Sequence, residues 1–208
     1  MRSFKLVIIL LLVFLSVSCI SEDVKIEFKR DLSGTADVVY TVPLALVNTT
    51  ASSTPPDPSK YEPLLPVPYS REVFEMELGE IDGIRLVSYD SKTTDTDMVI
   101  SARLAFDNPD ALSEWLSAGG QTLTVVQSNG SYEMSLKLFS PEDIPQDKET
   151  VDFINTFFSD YGFKLKITVF APVSYTSAGV ADGRTVSLEA PISDVILGKI
   201  PDTLVVRW

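Results

Sequence analysis

Met98, Ile100, Ala102, Leu104 and Phe106 are apolar at every second position, with Ser101, Arg103 and Asp107 opposite. A period of two places the apolar side chains on one face of a β-strand and leaves the other face wet. The pattern recurs. Val24, Ile26 and Phe28 alternate with Lys25, Glu27 and Lys29, and Phe163, Leu165, Ile167 and Val169 alternate with Lys164, Lys166 and Thr168. A chain written this way must form sheets with one dry face, and something must cover that face. Three segments have helical spacing. One starts at Ser70 and carries Val73, Phe74, Leu78 and Ile81, with Ser70 as cap. One starts at Asn108-Pro109 and carries Leu112, Trp115 and Leu116, with Pro at the first helical position where its missing N–H costs nothing. The third follows Asp143 and Gln146, a pair that resembles a capping box, and carries Val151, Ile154, Phe157, Phe158 and Tyr161.

Short turns join neighbouring strands. Ser33-Gly34, the polar residues 90–97 and Asn129-Gly130 each return the chain on itself, and Asn-Gly is the dipeptide favoured by type I′ hairpins. Further strands are expected near residues 173–180, 185–189 and 204–208, with a short helix near 191–198. Tight connections mean antiparallel pairing, and helices inserted between hairpins cover one face. The expected fold class is therefore α+β: a curved antiparallel β-sheet built from hairpins, packed by two or three helices on one face. Residues 24–208 are read as one such domain, preceded by a short tether at 19–23. Residues 48–69 interrupt it with six of the thirteen prolines, which permit neither helix nor central strand. Tyr61, Leu64, Leu65, Val67 and Tyr69 make this loop apolar enough to be either an exposed insertion or a partner-binding strap.

The first eighteen residues read as a leader. Arg2 and Lys5 precede an unbroken apolar run over residues 6–15, too short to span a bilayer but the length of a signal-peptide core. Ser16, Val17 and Ser18 then lead to Cys19, so cleavage is expected between Ser18 and Cys19. The stretch resembles a bacterial lipobox, with Ser16 where Leu is usual, and this implies acylation of Cys19. A soluble secreted protein with a free Cys is the competing reading. Two or three acyl chains, each CH₂ adding about 0.8 kcal/mol, suffice as an anchor. The expected partners are thus a membrane, reached through the lipid, and a lipid or an envelope protein, with the chain facing the extracytoplasmic side of the bacterial envelope. No spanning segment follows, so no C-terminal anchor is expected.

The chain has no His and one Cys. That removes imidazole bases, His metal ligands, intramolecular disulfides and CxxC sites. Seventeen Lys and Arg against 29 Asp and Glu give a net charge of −12, and loss of Arg2 and Lys5 brings it to −14. Such a charge disfavours nucleic acid and anionic bilayers. Asp90, Asp95 and Asp97 lack the Gly and Glu of a calcium loop and read as a solvated turn. Lys164, Lys166, Lys199 and Arg207 read as a solvent face or a basic patch. No cofactor, metal or catalytic residue is expected. A carboxylate-dependent hydrolase is a distant alternative, because pairs of acids in an acidic chain carry little information. Trp115, Phe157 and Phe158 are candidates for an apolar pocket, or for plain core.

The layout resembles the LppM-type lipoprotein domain. The matching features are the lipobox Cys, the immediate strand over Val24, Ile26 and Phe28, the Ser33-Gly34 turn, the strand-to-helix step Phe106-Asp107-Asn108-Pro109-Asp110-Ala111-Leu112, and the late Asp182-Gly183 turn. The resemblance implies a non-enzymatic envelope lipoprotein with a lipid-binding-like α+β fold. It transfers no site residue except Cys19. The expected function is a binding or scaffolding module near the membrane surface, with a carrier or sensor of an amphipathic ligand as the alternative.

Overall fold

The computed structural model describes residues 21–43, 70–95, 97–158 and 161–208. Ser18, Cys19 and the Pro-rich residues 48–69 lie outside them. The first two strands, β1 (Ser21–Phe28) and β2 (Gly34–Pro43), form a hairpin. Its turn needs a glycine: a Cβ on Gly34 would run into the Glu27 carbonyl and the Phe106 ring. The strand β1 starts three residues earlier than its alternation suggests, so Ser21, Glu22 and Asp23 belong to the sheet and not to a tether.

Helix α1 (Arg71–Gly79) is capped by Ser70, whose hydroxyl accepts from the Val73 N–H at 3.2 Å. Strands β3 (Ile84–Thr93) and β4 (Asp97–Phe106) follow as a hairpin closed by Thr94 and Asp97. Helix α2 (Pro109–Ser117) is capped by Asn108, which accepts from the Ala111 N–H at 2.9 Å. Strands β5 (Thr122–Ser128) and β6 (Ser131–Lys137) turn at Asn129-Gly130 with φ of 51° and 82°, the two left-handed residues a type I′ turn requires. The cap of α3 (Lys148–Phe157) differs from expectation. Asp143 ends a 3₁₀ turn over Pro141–Asp143, and Asp147 caps the helix instead, accepting from the Thr150 N–H at 2.8 Å. The rest comprises β7 (Gly162–Thr168), β8 (Tyr175–Thr176), β9 (Val180–Asp182), β10 (Thr185–Pro191), α4 (Ile192–Ile196) and β11 (Thr203–Arg207).

The α+β class holds, with the strands divided between two sheets. The large sheet has the order β3-β4-β2-β1-β7-β10-β9, and the small one β5-β6-β11-β8. The pairs are antiparallel except β1 with β7, which runs parallel from Ser21 opposite Gly162 to Glu27 opposite Thr168. The alternating apolar residues of the large sheet face the small sheet and the helices in one core, where Ile26, Phe28, Leu104, Ile167, Leu123, Met134 and Val206 are buried. The other face of the large sheet is polar. Lys25, Lys164 and Lys166 are exposed there, and Arg103 grips Asp37 with two hydrogen bonds of 2.5 and 2.8 Å. An antiparallel sheet tolerates one wet face, so the helices need to cover only the dry one.

Candidate functional site

The register shows which end of the large sheet the chain enters. Ser21 lies opposite Gly162, and Gly162 lies opposite Pro191. Glu22 lies opposite Tyr40, and Pro43 opposite Asp97. The N-terminal residues and the Pro-rich segment after Pro43 therefore both join the fold at this one end.

Glu22 is its unusual residue. It is in phase with Val24, Ile26 and Phe28, so the pleat sends its side chain to the core face, where it is 1% exposed. Its Oε1 has no hydrogen-bond partner among the described residues. Burial removes the water that would stabilise the carboxylate and pushes its pKa from 4.5 to about 8. Its cross-strand neighbours are Tyr40 on β2 and Phe163 on β7.

Phe163 links Glu22 to two concavities. Inside, a cavity of about 30 Å³ lies between the sheets, lined by Val24, Ile26, Leu116, Gln121, Leu136, Leu138, Phe163, Leu165 and Val195. Gln121 is its polar member. Its Nε2 donates to the Leu138 carbonyl at 3.5 Å, and its buried Oε1 has no partner among the described residues. A cavity this size holds one or two waters and no acyl chain. Outside, an open groove of about 330 Å³ runs along Tyr161, Gly162, Phe163, Lys164, Glu189, Ala190 and Pro191. Lys164 and Glu189 are directly opposite each other on β7 and β10, so the groove carries both signs of charge.

Of the candidate pocket residues, Trp115 and Phe158 each pack on other rings. Trp115 is 3% exposed and packs on Phe74, with ring centroids 6.3 Å apart, while its neighbour Leu116 lines the cavity. Phe158 follows α3, half-buried against Phe153 and Tyr161 at 6.2 and 5.4 Å. Phe157 is the last residue of α3, and its side chain is outside the described part. The four late basic residues are also dispersed. Lys164 and Lys166 lie on the wet face, Lys199 pairs with Asp194 at 2.9 Å, and Arg207 pairs with Glu133 at 2.6 Å and stacks on Tyr175. Asp90 pairs with Lys92 at 3.0 Å within its hairpin.

Glu22 and Gln121 were not singled out from the sequence. For Glu22 a signal existed: it extends the alternation of β1 by one step. Gln121 follows Gly119-Gly120 and has no local pattern that would reveal its burial.

No family model and no curated protein matches the chain. Among solved structures it is similar to the folded domain of the Mycobacterium tuberculosis LppM protein, determined by NMR. The sequence identity is 10%, the match covers 92% of this chain and 90% of that one, and the TM-score is 0.47.

Proposed function

We propose that this chain is a lipid-anchored, non-enzymatic module of the bacterial envelope, and that it works as a binding or scaffolding domain pressed against the membrane surface. The supporting observation is the start of β1 at Ser21. Cys19 is two residues away, and extended chain spans at most about 3.6 Å per residue. An acyl group on Cys19 would hold the Ser21–Gly162–Pro191 end of the sheet within roughly 7 Å of the anchor point. The groove beside Lys164 and Glu189 would then face the headgroups, and the Phe28 end would point away. The −14 charge of the processed chain gives no attraction to an anionic bilayer, so the acyl chains would do the holding.

The non-enzymatic reading rests on what surrounds the most perturbed acid. Glu22 meets Tyr40 and Phe163 in register, not a second carboxylate at the spacing glycoside hydrolysis uses. The carrier alternative would require the 30 Å³ space to open to several hundred cubic ångströms.

The test has two arms. Wild type should partition into detergent and carry acyl mass, and Cys19→Ala should do neither. With Cys19 blocked by lipid, single cysteines at Lys164 and Arg184 can carry a fluorophore. Arg184 bonds Val169 just past the far end of β7, five residues from Lys164, which is about 17 Å along the strand. Quencher-bearing lipids should dim the Lys164 probe and spare the Arg184 probe. Equal quenching of the two would sink the proposed orientation.

A further inference from the structure

Residues 21–23 open the central strand β1, and only one of them is sent to the core. Ser21 and Asp23 are half-buried, and Glu22 is buried. From Val24 onward the inward positions are apolar: Val24, Ile26 and Phe28 are 3%, 2% and 2% exposed. Hydrophobic contacts therefore hold most of the strand, whereas its first three residues depend on ladder hydrogen bonds and one acid. On the β7 side that ladder is parallel, the less stable kind.

Among the described residues, nothing that faces Glu22 compensates a charge on it. In register, β2 presents the Tyr40 phenol and β7 the Phe163 ring. Tyr161, just before β7, is a second buried phenol at this end. Across the adjoining cavity lie Leu116 of α2, Gln121, Leu136 of β6 and Val195 of α4, none of them ionisable. Asp23, Lys25 and Lys164 alternate onto the wet face, and on α4 Asp194 is held by Lys199 at 2.9 Å. Burial is accordingly the one cause of the raised Glu22 pKa. As a neutral acid the side chain fits this place. As a carboxylate it needs donors or water, and the shortest way to water is out of the core with the end of the strand.

We propose that residues 21–23 are a proton-operated latch: with Glu22 neutral, β1 is seated from Ser21, and when Glu22 ionises these three residues peel from β2 and β7 while Val24 and the rest of the strand stay in place. The peeled end has an ordinary carboxyl of pKa 4.5, and the seated end has one of about 8. The latch is therefore closed below about pH 4.5, and the ratio of peeled to seated chains rises about tenfold per pH unit between the two values. Its consequence for the membrane rests on the anchored reading above. Cys19 is two residues from Ser21 and five from Val24, so peeling lengthens the reach of the anchor from roughly 7 to roughly 18 Å. Acidic surroundings hold the domain down, and alkaline ones let it rise.

The experiment is hydrogen exchange on the full-length chain from pH 5 to 8, corrected for intrinsic exchange rates. Protection of the amides of residues 22–24 should fall about tenfold per pH unit, and should stay at least about a hundredfold below that of residues 100–104 in β4. Glu22→Gln should make it independent of pH. Asp23→Asn, a change on the wet face, should leave the wild-type slope. Flat protection in the wild type, as when water enters beside Gln121 instead, would overturn the latch. So would a slope that survives Glu22→Gln, or protection equal to that of β4, which would mean that this end opens only with the whole fold. Fractionation of the same samples reports on the anchor separately: a water-soluble chain defeats the anchor reading and the change in reach, whatever the exchange shows.

Discussion

At the Phe28 end of the molecule, aromatic rings fill the space between the sheets. Phe28 meets Phe106 at 5.4 Å and Trp208 at 6.4 Å, and Trp208 stacks on Tyr132 at 5.5 Å with Phe170 against its edge at 6.1 Å. At the Ser21 end the same two layers enclose a small cavity, an unpartnered Gln121 oxygen and a buried Glu22 carboxyl. Both ends derive from the same alternation on β1, so the difference lies in which residues fill the inward positions. The ring end supplies dispersion and burial, at the cost of a Trp208 indole N–H that has no partner among the described residues. The other end leaves the Glu22 and Gln121 oxygens without partners among the described residues and has fewer rings to offset them, each neutral orphan costing about 1–3 kcal/mol. The contrast indicates that cohesion is concentrated away from the end through which the chain enters.

The largest effect should come from Trp208→Ala. Removing a buried ring that bridges both sheets should cost about 3–5 kcal/mol in urea unfolding. A loss below about 1 kcal/mol would mean that the rings do not join the layers.

Next is the pH dependence owed to Glu22. Its folded pKa is about 8 against an ordinary 4.5, so between those values the folded state holds a proton that the unfolded state has lost. Its neutral form is fully accommodated below about pH 4.5, and stability falls as pH rises toward 8, by up to about 1.4 kcal/mol per unit. Glu22→Gln should remove that slope and gain most over wild type near pH 8. Parallel wild-type and Glu22→Gln curves from pH 5 to 8 would show that Glu22 is not buried as described.

The smallest effect is at Gln121. Gln121→Leu removes an unsatisfied acceptor and a long 3.5 Å hydrogen bond, and adds apolar volume beside the cavity. It should stabilise the domain by about 1 kcal/mol. Destabilisation of similar size would indicate that the amide is satisfied there, for example by water.

Local chemistry was legible in the sequence. Ser70 and Asn108 cap their helices, Asn129-Gly130 makes its turn, and three alternating runs become β1, β4 and β7. These features depend on neighbours within a few residues. Where two local solutions competed, the sequence misled: Asp143 and Asp147 can both cap, and the 3₁₀ turn begun at Pro141 left the role to Asp147. Of the candidate site, only the phase of Glu22 was available, because the orphaned oxygens of Glu22 and Gln121 depend on what other segments place against them.

The sequence by itself determined the hairpins, the helices and the dry face of each strand, because turn chemistry and period-two alternation act over a few residues. The tertiary structure decided how the strands are shared between sheets. Turn signals specify pairing with the adjacent strand, so they were silent on the parallel ladder that joins β1 to β7 across more than a hundred residues. Residues 173–180 show the same limit. They read as one strand, yet Tyr175 and Thr176 pair with β11 in the small sheet, while Val180 to Asp182 pair with β10 in the large one. Between them Gly179 takes φ of +74°, where a Cβ would strike the Ser187 backbone. The chain changes sheets there because each half finds its free hydrogen-bonding edge in a different layer, and those edges exist only once the distant strands are in place.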